Sequence, residues 1–244
     1  MQRYILKLSY LGDKYSGFQV QNNKDTIELR LETALSQVTK ENIKVVASGR
    51  TDAGVSAFCQ VCHFDVENEI VEHKVLSYVN AILPKDIRIL EIVKVSNDFH
   101  ARYSSKRKTY EYYFYVGMEN AIYETFASHI ALDLNIAEME KACTYFVGEH
   151  DFSSFCASNT EVKTKVRTIY DCKIIELGGG LFKLSICGNG FLYNMVRIIM
   201  GTIVNVGLDK IKSNDIVDII NSKNRQNAGK TMPSKGLILK NVEY

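Results

Sequence analysis

The sequence predicts an α+β fold built from two βαββαβ halves, and three observations carry that expectation. The hydrophobic pattern alternates between a period of two and a helical period in the order strand, helix, strand, strand, helix, strand. After a short polar and basic stretch the same order begins again. The composition, 46% hydrophobic and 24% charged in 244 residues, is that of a globular chain able to bury a real core. Two split βαβ units in a pseudo-two-fold arrangement can make one extended, mainly antiparallel sheet, with helices on one face and a basic central cleft at the junction. The halves are expected at residues 1–100 and 101–244.

Tyr4–Tyr10 reads as the first strand, followed by a loop with Gly12 and Gly17. Asp25 and Glu28 have the spacing of a capping box. Ile27, Leu31, Ala34, Leu35 and Val38 then recur at helical spacing. Strands are expected at Ile43–Ser48 and Ser56–Val66, a helix over Val71–Leu83 stopped by Pro84, and a strand at Ile87–Val95. Asp98–Ser105 reads as the linker. Lys108–Val116 is a strand with aromatics on both faces. Asn135 and Glu138 suggest a second capping box, with Ile136, Met139, Cys143, Phe146 and Val147 behind it. Arg167–Leu177 and Leu181–Cys187 form a hairpin across Gly178-Gly179-Gly180. Phe191–Val206 and Ser213–Asn221 read as helices, and Gly236–Val242 as a last strand closing the second half.

Ser48-Gly49-Arg50-Thr51-Asp52-Ala53-Gly54-Val55-Ser56 lies between two strands and is the most suggestive stretch. Its glycines permit close approach, so the segment is suited to present Arg50 and Asp52 at a strand end. For a lone Thr-Asp-Ala-Gly ordinary turn chemistry is the better explanation, and it is the rest of the chain that overturns it. The apolar helix Phe191–Met200 contains one arginine, Arg197, which needs a partner because an unpaired buried charge is very costly. Asp52, at the matching place in the other half, is a candidate partner, and a helix-edge surface arginine is the plainer alternative.

Other chemistries find little support. Cys59-Gln60-Val61-Cys62-His63 matches a haem-attachment string, but on a strand its cysteines point to opposite faces. No second Cys pair or His pair completes a zinc site. The glycine clusters at 178–180 and 188–190 lack the residues of a phosphate loop or dinucleotide fingerprint. No serine sits in a nucleophile elbow. With neither a signal-peptide pattern nor a membrane-length apolar run, a reducing cytoplasm and free thiols are expected.

The formal charge of +2 does not by itself point to nucleic acid. Its distribution says more. Phe99–Tyr110 interleaves cations with aromatics and runs into Tyr112, Tyr113 and Tyr115. Lys163, Lys165 and Arg167 form a second cluster, and Lys223, Arg225, Lys230 and Lys235 a third. Cations neutralise phosphates and aromatic faces stack on unpaired bases. A solvated basic face with tyrosines filling a sheet explains the same residues, though their gathering into three segments favours a basic cleft.

Over nearly its whole length the chain resembles the tRNA pseudouridine synthase A family. Tyr15-Ser16-Gly17-Phe18-Gln19-Val20-Gln21 is similar to that family's first motif, and Gly49–Val55 to its catalytic loop. Phe99-His100-Ala101-Arg102 with Lys108-Thr109-Tyr110, Asn194-Met195-Val196-Arg197 and Gly236-Leu237-Ile238-Leu239 match the rest. Departures are Ser56 where the family usually has histidine, Phe18 where it usually has tryptophan, and Met232-Pro233-Ser234 in place of a more proline-rich approach. The resemblance implies a cofactor-free, metal-free homodimer that isomerises uridine to pseudouridine at positions 38 to 40 of tRNA. It implies Asp52 as the catalytic carboxylate, Tyr110 stacking on the flipped uracil, and Arg197 paired with Asp52. Arg50 would fill the gap left by the extruded nucleotide, and Leu237 would wall the pocket. An RNA-binding protein without chemistry and a small-molecule enzyme on the same scaffold are the alternatives from other classes.

Overall fold

The computed structural model describes residues 1–157 and 162–244. It is α+β, with mostly antiparallel strands, and divides into two compact units: residues 1–106 with 238–244, and residues 107–237. The chain therefore leaves the first unit and later returns to it.

The first unit contains β1 (Gln2–Tyr10), α1 (Ile27–Thr39), β2 (Val45–Ala47), β3 (Ser56–Val66), α2 (Glu72–Ile82) and β4 (Ile87–Val95). β1 is central, antiparallel to β3 on one side and to β4 on the other. Its alternation is clean: Tyr4, Leu6, Leu8 and Tyr10 are buried while their neighbours are half-buried, because α1 and α2 cover one face only. Tyr4 stacks on Phe64 across the β1–β3 pair, with ring centroids 5.8 Å apart. The helices contribute Leu31, Leu35, Val75 and Val79 to this core.

The first helix starts differently from the expected capping box. Thr26 is the N-cap, its hydroxyl accepting the Leu29 N–H. Asp25 instead pairs with Arg30, and the Glu28 carboxylate accepts the Val20 N–H, tying the preceding loop to the helix. Asn135 does cap its helix by accepting the Glu138 N–H, but the Glu138 carboxylate takes a hydrogen bond from the Ser213 hydroxyl rather than folding back. Three residues' spacing fixes proximity; it does not choose between a carboxylate's local and distant donors.

The final strand, β10 (Leu237–Glu243), belongs from Ile238 onward to the first unit. Ile238 and Leu239 pair in parallel with Ser56 and Ala57 of β3, so this last strand adds a parallel pairing to the mainly antiparallel strands of the first unit.

The segment read as a linker is firmly held. Arg3 makes a two-pronged ion pair with Asp65 and donates to the Asn97 and Phe99 carbonyls. His63, only 4% exposed, accepts the Ala101 N–H at Nδ1 (3.1 Å) and meets His100 edge-on at 4.9 Å. Burial, reinforced by the positive charge of Arg3 and the neighbouring His100, lowers the His63 pKa to about 4. A free imidazole takes its proton near pH 6.5. Between those values the unfolded chain binds the proton and the folded one does not, so stability is lost as pH falls through that window. The expected loss is up to about 3 kcal/mol. Urea melts across the window should show it. His63→Gln, which can still accept the Ala101 N–H, should flatten the dependence; an unchanged slope would assign the effect elsewhere.

The second unit contains β5 (Arg107–Val116), β6 (Ser128–Ile130), α3 (Ile136–Thr144), β7 (Gly148–Asp151), β8 (Val166–Gly178), β9 (Leu181–Gly188), α4 (Met195–Gly207) and α5 (Asp215–Ser222). Its sheet runs β5-β9-β8-β7, antiparallel throughout, with the short β6 added in parallel to β5. On β5, Tyr110, Tyr112 and Phe114 share one face and Tyr113 and Tyr115 the other. The three glycines at 178–180 all have positive φ and close the β8–β9 hairpin as expected. α4 starts four residues later than its apolar run, because Asn194 adopts φ +62 and interrupts the helical backbone.

Candidate active site

The loop between β2 and β3 leaves the first unit's sheet because two strands share one rim. β2 pairs with Cys62–Phe64 of β3, whereas β10 pairs with Ser56 and Ala57. Fully buried Gln60 secures the point of exit. Its Oε1 accepts the Ser48 hydroxyl (2.7 Å) and the Val61 N–H (3.1 Å), while Nε2 donates to the Gly49 carbonyl (2.9 Å). A buried carboxamide hydrogen-bonded through both its oxygen and its nitrogen leaves the loop little choice of path.

Beyond that exit the chain makes a tight turn. The Val55 N–H donates to the Asp52 carbonyl (3.1 Å), with Gly54 at φ +79 in the third position. The preceding glycine loop braces the turn. Thr51 shares a 2.8 Å hydroxyl bond with Tyr10 and accepts the Phe18 N–H at its carbonyl (3.0 Å). Gly12 presses so closely that an added Cβ would lie 2.1 Å from the Val55 carbonyl oxygen. The outcome is a rigid presentation: Asp52 is half-buried and Arg50 exposed. A carboxylate on a fixed, partly shielded turn can act as a nucleophile, or can stabilise a developing positive charge.

Tyr110, Arg197 and Leu237 lie in the second unit. Tyr110 is mostly buried on β5 opposite Ile186, and its ring meets the Phe191 ring nearly perpendicularly at 5.1 Å. Arg197 occupies the first turn of α4, half-buried. Its Nε donates to the Met232 carbonyl (2.7 Å) and its Nη1 to the Asn194 carboxamide (2.8 Å), so the guanidinium is held from two directions. Asn194, whose left-handed backbone delays the start of the expected helix, thus contributes a positioning group. The segment carrying Met232 is itself tied to α4. The Gly229 N–H donates to Thr202, and a Cβ on Gly201 would sit 1.9 Å from the Lys230 carbonyl oxygen. Leu237 is 6% exposed at the start of β10. Tyr112 donates its hydroxyl to the Pro233 carbonyl (2.8 Å), and burial pushes its pKa up to about 12.

The residues of the haem-like string serve the core. Burial raises the pKa of the Cys59 thiol and raises that of Cys62 well above its ordinary value. All six cysteines are unpaired. Among the described residues no cluster of three His, Cys, Asp or Glu side chains could hold a metal ion, and no helix is long and apolar enough to cross a membrane.

The family model described as tRNA pseudouridine synthase matches residues 8–104 and 142–244. The chain belongs to the tRNA pseudouridine synthase family. Relatives named tRNA pseudouridine synthase A include one from Caldicellulosiruptor saccharolyticus, 44% identical over 100% of both chains. Another, from Bacillus licheniformis, is 46% identical over 97% of each, and one from Bacillus subtilis is 42% identical over the same shares. A solved structure titled "Crystal Structure of a Cbf5-Nop10-Gar1 Complex" aligns with 96% of this chain and 57% of that one, at a TM-score of 0.38 and 12% identity.

Against the usual pattern of the tRNA pseudouridine synthase family, the two departures near the turn have structural uses. The Ser56 hydroxyl accepts the Gly12 N–H (3.0 Å), locking the glycine loop to the start of β3. Phe18, 1% exposed, packs against Tyr10 with ring centroids 6.2 Å apart. The basic segments are mixed in use. Arg102 and Arg107 lie over the rings of Tyr103 and Tyr170, at 5.8 and 4.7 Å. Lys223 and Lys235 pair with Asp151 and Glu124, whereas Lys163 and Lys230 are exposed.

Proposed function

We propose that this chain converts uridine to pseudouridine in the anticodon arm of tRNA, at positions 38 to 40, with Asp52 as the nucleophile acting on a flipped-out nucleotide. The observation that carries this reading is the braced Asp52 turn, in a chain that matches its family along its full length. The reaction breaks the bond between ribose C1′ and uracil N1, turns the base, and joins C1′ to C5. N1 gains a proton and C5 loses one, so nothing is oxidised and no cofactor is required. Extrusion of the nucleotide is needed because stacking hides the atoms to be attacked. In this reading Tyr110 stacks on the extruded uracil and Leu237 walls its pocket. Arg197 serves as the counter-charge that keeps Asp52 ionised, since a nearby cation lowers a carboxylate's pKa. Arg50, exposed beside Asp52, fills the space the nucleotide vacates. A tRNA substrate places the work in the cytoplasm, and a homodimer would let one copy grip tRNA bound to the other.

The test is incubation with an unmodified tRNA transcript carrying uridines in its anticodon arm, followed by pseudouridine mapping. Pseudouridine at one or more of the three positions is the expected result. Steep weakening of binding with salt should accompany it. Tight tRNA binding without any pseudouridine would leave only an RNA-binding role.

A further inference from the structure

One exposed aromatic in the first unit has no part in the scheme above. Between Leu8 and Tyr10 of β1 the partner strand advances three residues, from Gln60 to Ala57, so β3 carries one extra residue at 58–59. Without this bulge, Phe58 would continue the alternation of Gln60, Cys62 and Phe64 and point toward the helices. Ala57 takes that place instead, at 4% exposure, and Phe58 is turned to the opposite face with 46% of its surface open. Lys240, exposed on neighbouring β10, lies with Nζ 4.5 Å from the centre of the Phe58 ring. Phe58 follows the catalytic turn directly, two residues after Ser56. A large apolar ring held in solvent beside a cation suits an unpaired base with its phosphate. The ring offers a face for stacking and the ammonium a counter-charge, with no requirement on base identity.

Building on the proposed tRNA substrate, we infer that Phe58 and Lys240 form a nucleotide-binding pad beside the Asp52 turn, gripping an unpaired nucleotide of the RNA substrate by stacking and phosphate contact. The pad is a substrate-positioning feature and touches none of the reacting atoms. Bulges that redirect a side chain next to a reactive loop are a recurrent device, and here the redirected residue is a large aromatic left open to solvent.

The experiment compares the wild-type chain with Phe58→Leu, Phe58→Trp and Lys240→Gln, using the same unmodified tRNA transcript. Phe58→Leu fills the space without an aromatic face and should weaken tRNA binding and raise KM by about five- to twenty-fold, with kcat within about twofold. Phe58→Trp should bind at least as tightly as wild type. Lys240→Gln should reduce the slope of log Kd against log salt by roughly 0.7 to 0.9, the share of one phosphate contact. Thermal melts accompany each variant. If Phe58→Leu lowers Tm while Kd and KM stay at wild-type values, the pair merely fastens β10 to β3 and the inference fails. A change in self-association with Kd unaltered would make the patch a contact between copies and equally overturn it. Wild-type chain that binds tRNA but forms no pseudouridine refutes the proposed reaction while leaving the pad testable by Kd. Wild-type chain that does not bind tRNA refutes both.

Discussion

Asp52→Asn is expected to abolish pseudouridine formation, lowering kcat by at least about 10³-fold, as loss of a nucleophile does in other enzymes. The replacement is nearly isosteric, and the turn is held by backbone and by Thr51, Tyr10, Phe18, Gly12 and Ser56, so the fold should be unchanged. Binding of tRNA should persist, or tighten slightly, because one negative charge facing a polyanion is removed. Single-turnover assays with mapped tRNA, alongside a binding titration, separate the two effects. Residual activity within tenfold of wild type would mean that another group performs the chemistry. The companion change Arg50→Ala should act on binding and nucleotide extrusion instead, since its exposed guanidinium lies outside the bracing network.

The second large effect is expected at a glycine one helical turn beyond Arg197 on α4. Gly201→Ala places a methyl group 1.9 Å from the Lys230 carbonyl oxygen, a backbone atom that cannot swing aside. Overpacking of this severity should destabilise the chain by about 3 kcal/mol, lowering Tm by roughly 6–12 °C for a chain of this size. It should also reach the chemistry. The segment displaced from α4 carries the Met232 carbonyl that holds Arg197 Nε, so kcat should fall at temperatures where the variant remains folded. A variant with wild-type Tm would show that the 229–232 segment is free to relax. One with lowered Tm but wild-type kcat would show that the Met232 contact is dispensable.

Much of this was legible in the residues. Among the described residues the hydrophobic pattern located all five α-helices and the long strands, because β1 and β9 each bury one face and α4 is apolar nearly throughout. The Asp52 turn stood out through its glycines, and the structure gives Gly54 its left-handed backbone. Short strands such as β6 and β7 were missed, since three or four residues carry no period. Backbone exceptions were invisible too: the left-handed Asn194 that delays α4, and the bulge that turns Phe58 around. The parallel pairing of β10 with β3 depends on how distant segments meet, and a local pattern does not encode that. The same holds for Gly201 against Lys230, where the glycine matters only because a remote carbonyl arrives there.

The return of the C-terminal strand to the first unit has a consequence for biosynthesis. β3 is translated early, yet its partner from residue 238 onward emerges only after residues 107–237 have been made. At usual elongation rates that delay is on the order of ten seconds. Throughout it, the rim of β3 next to Asp52 offers unsatisfied backbone groups to any passing strand, its own or a neighbouring nascent chain's. Slowing of the ribosome within the second unit should therefore lower the yield of correctly assembled protein more than slowing elsewhere.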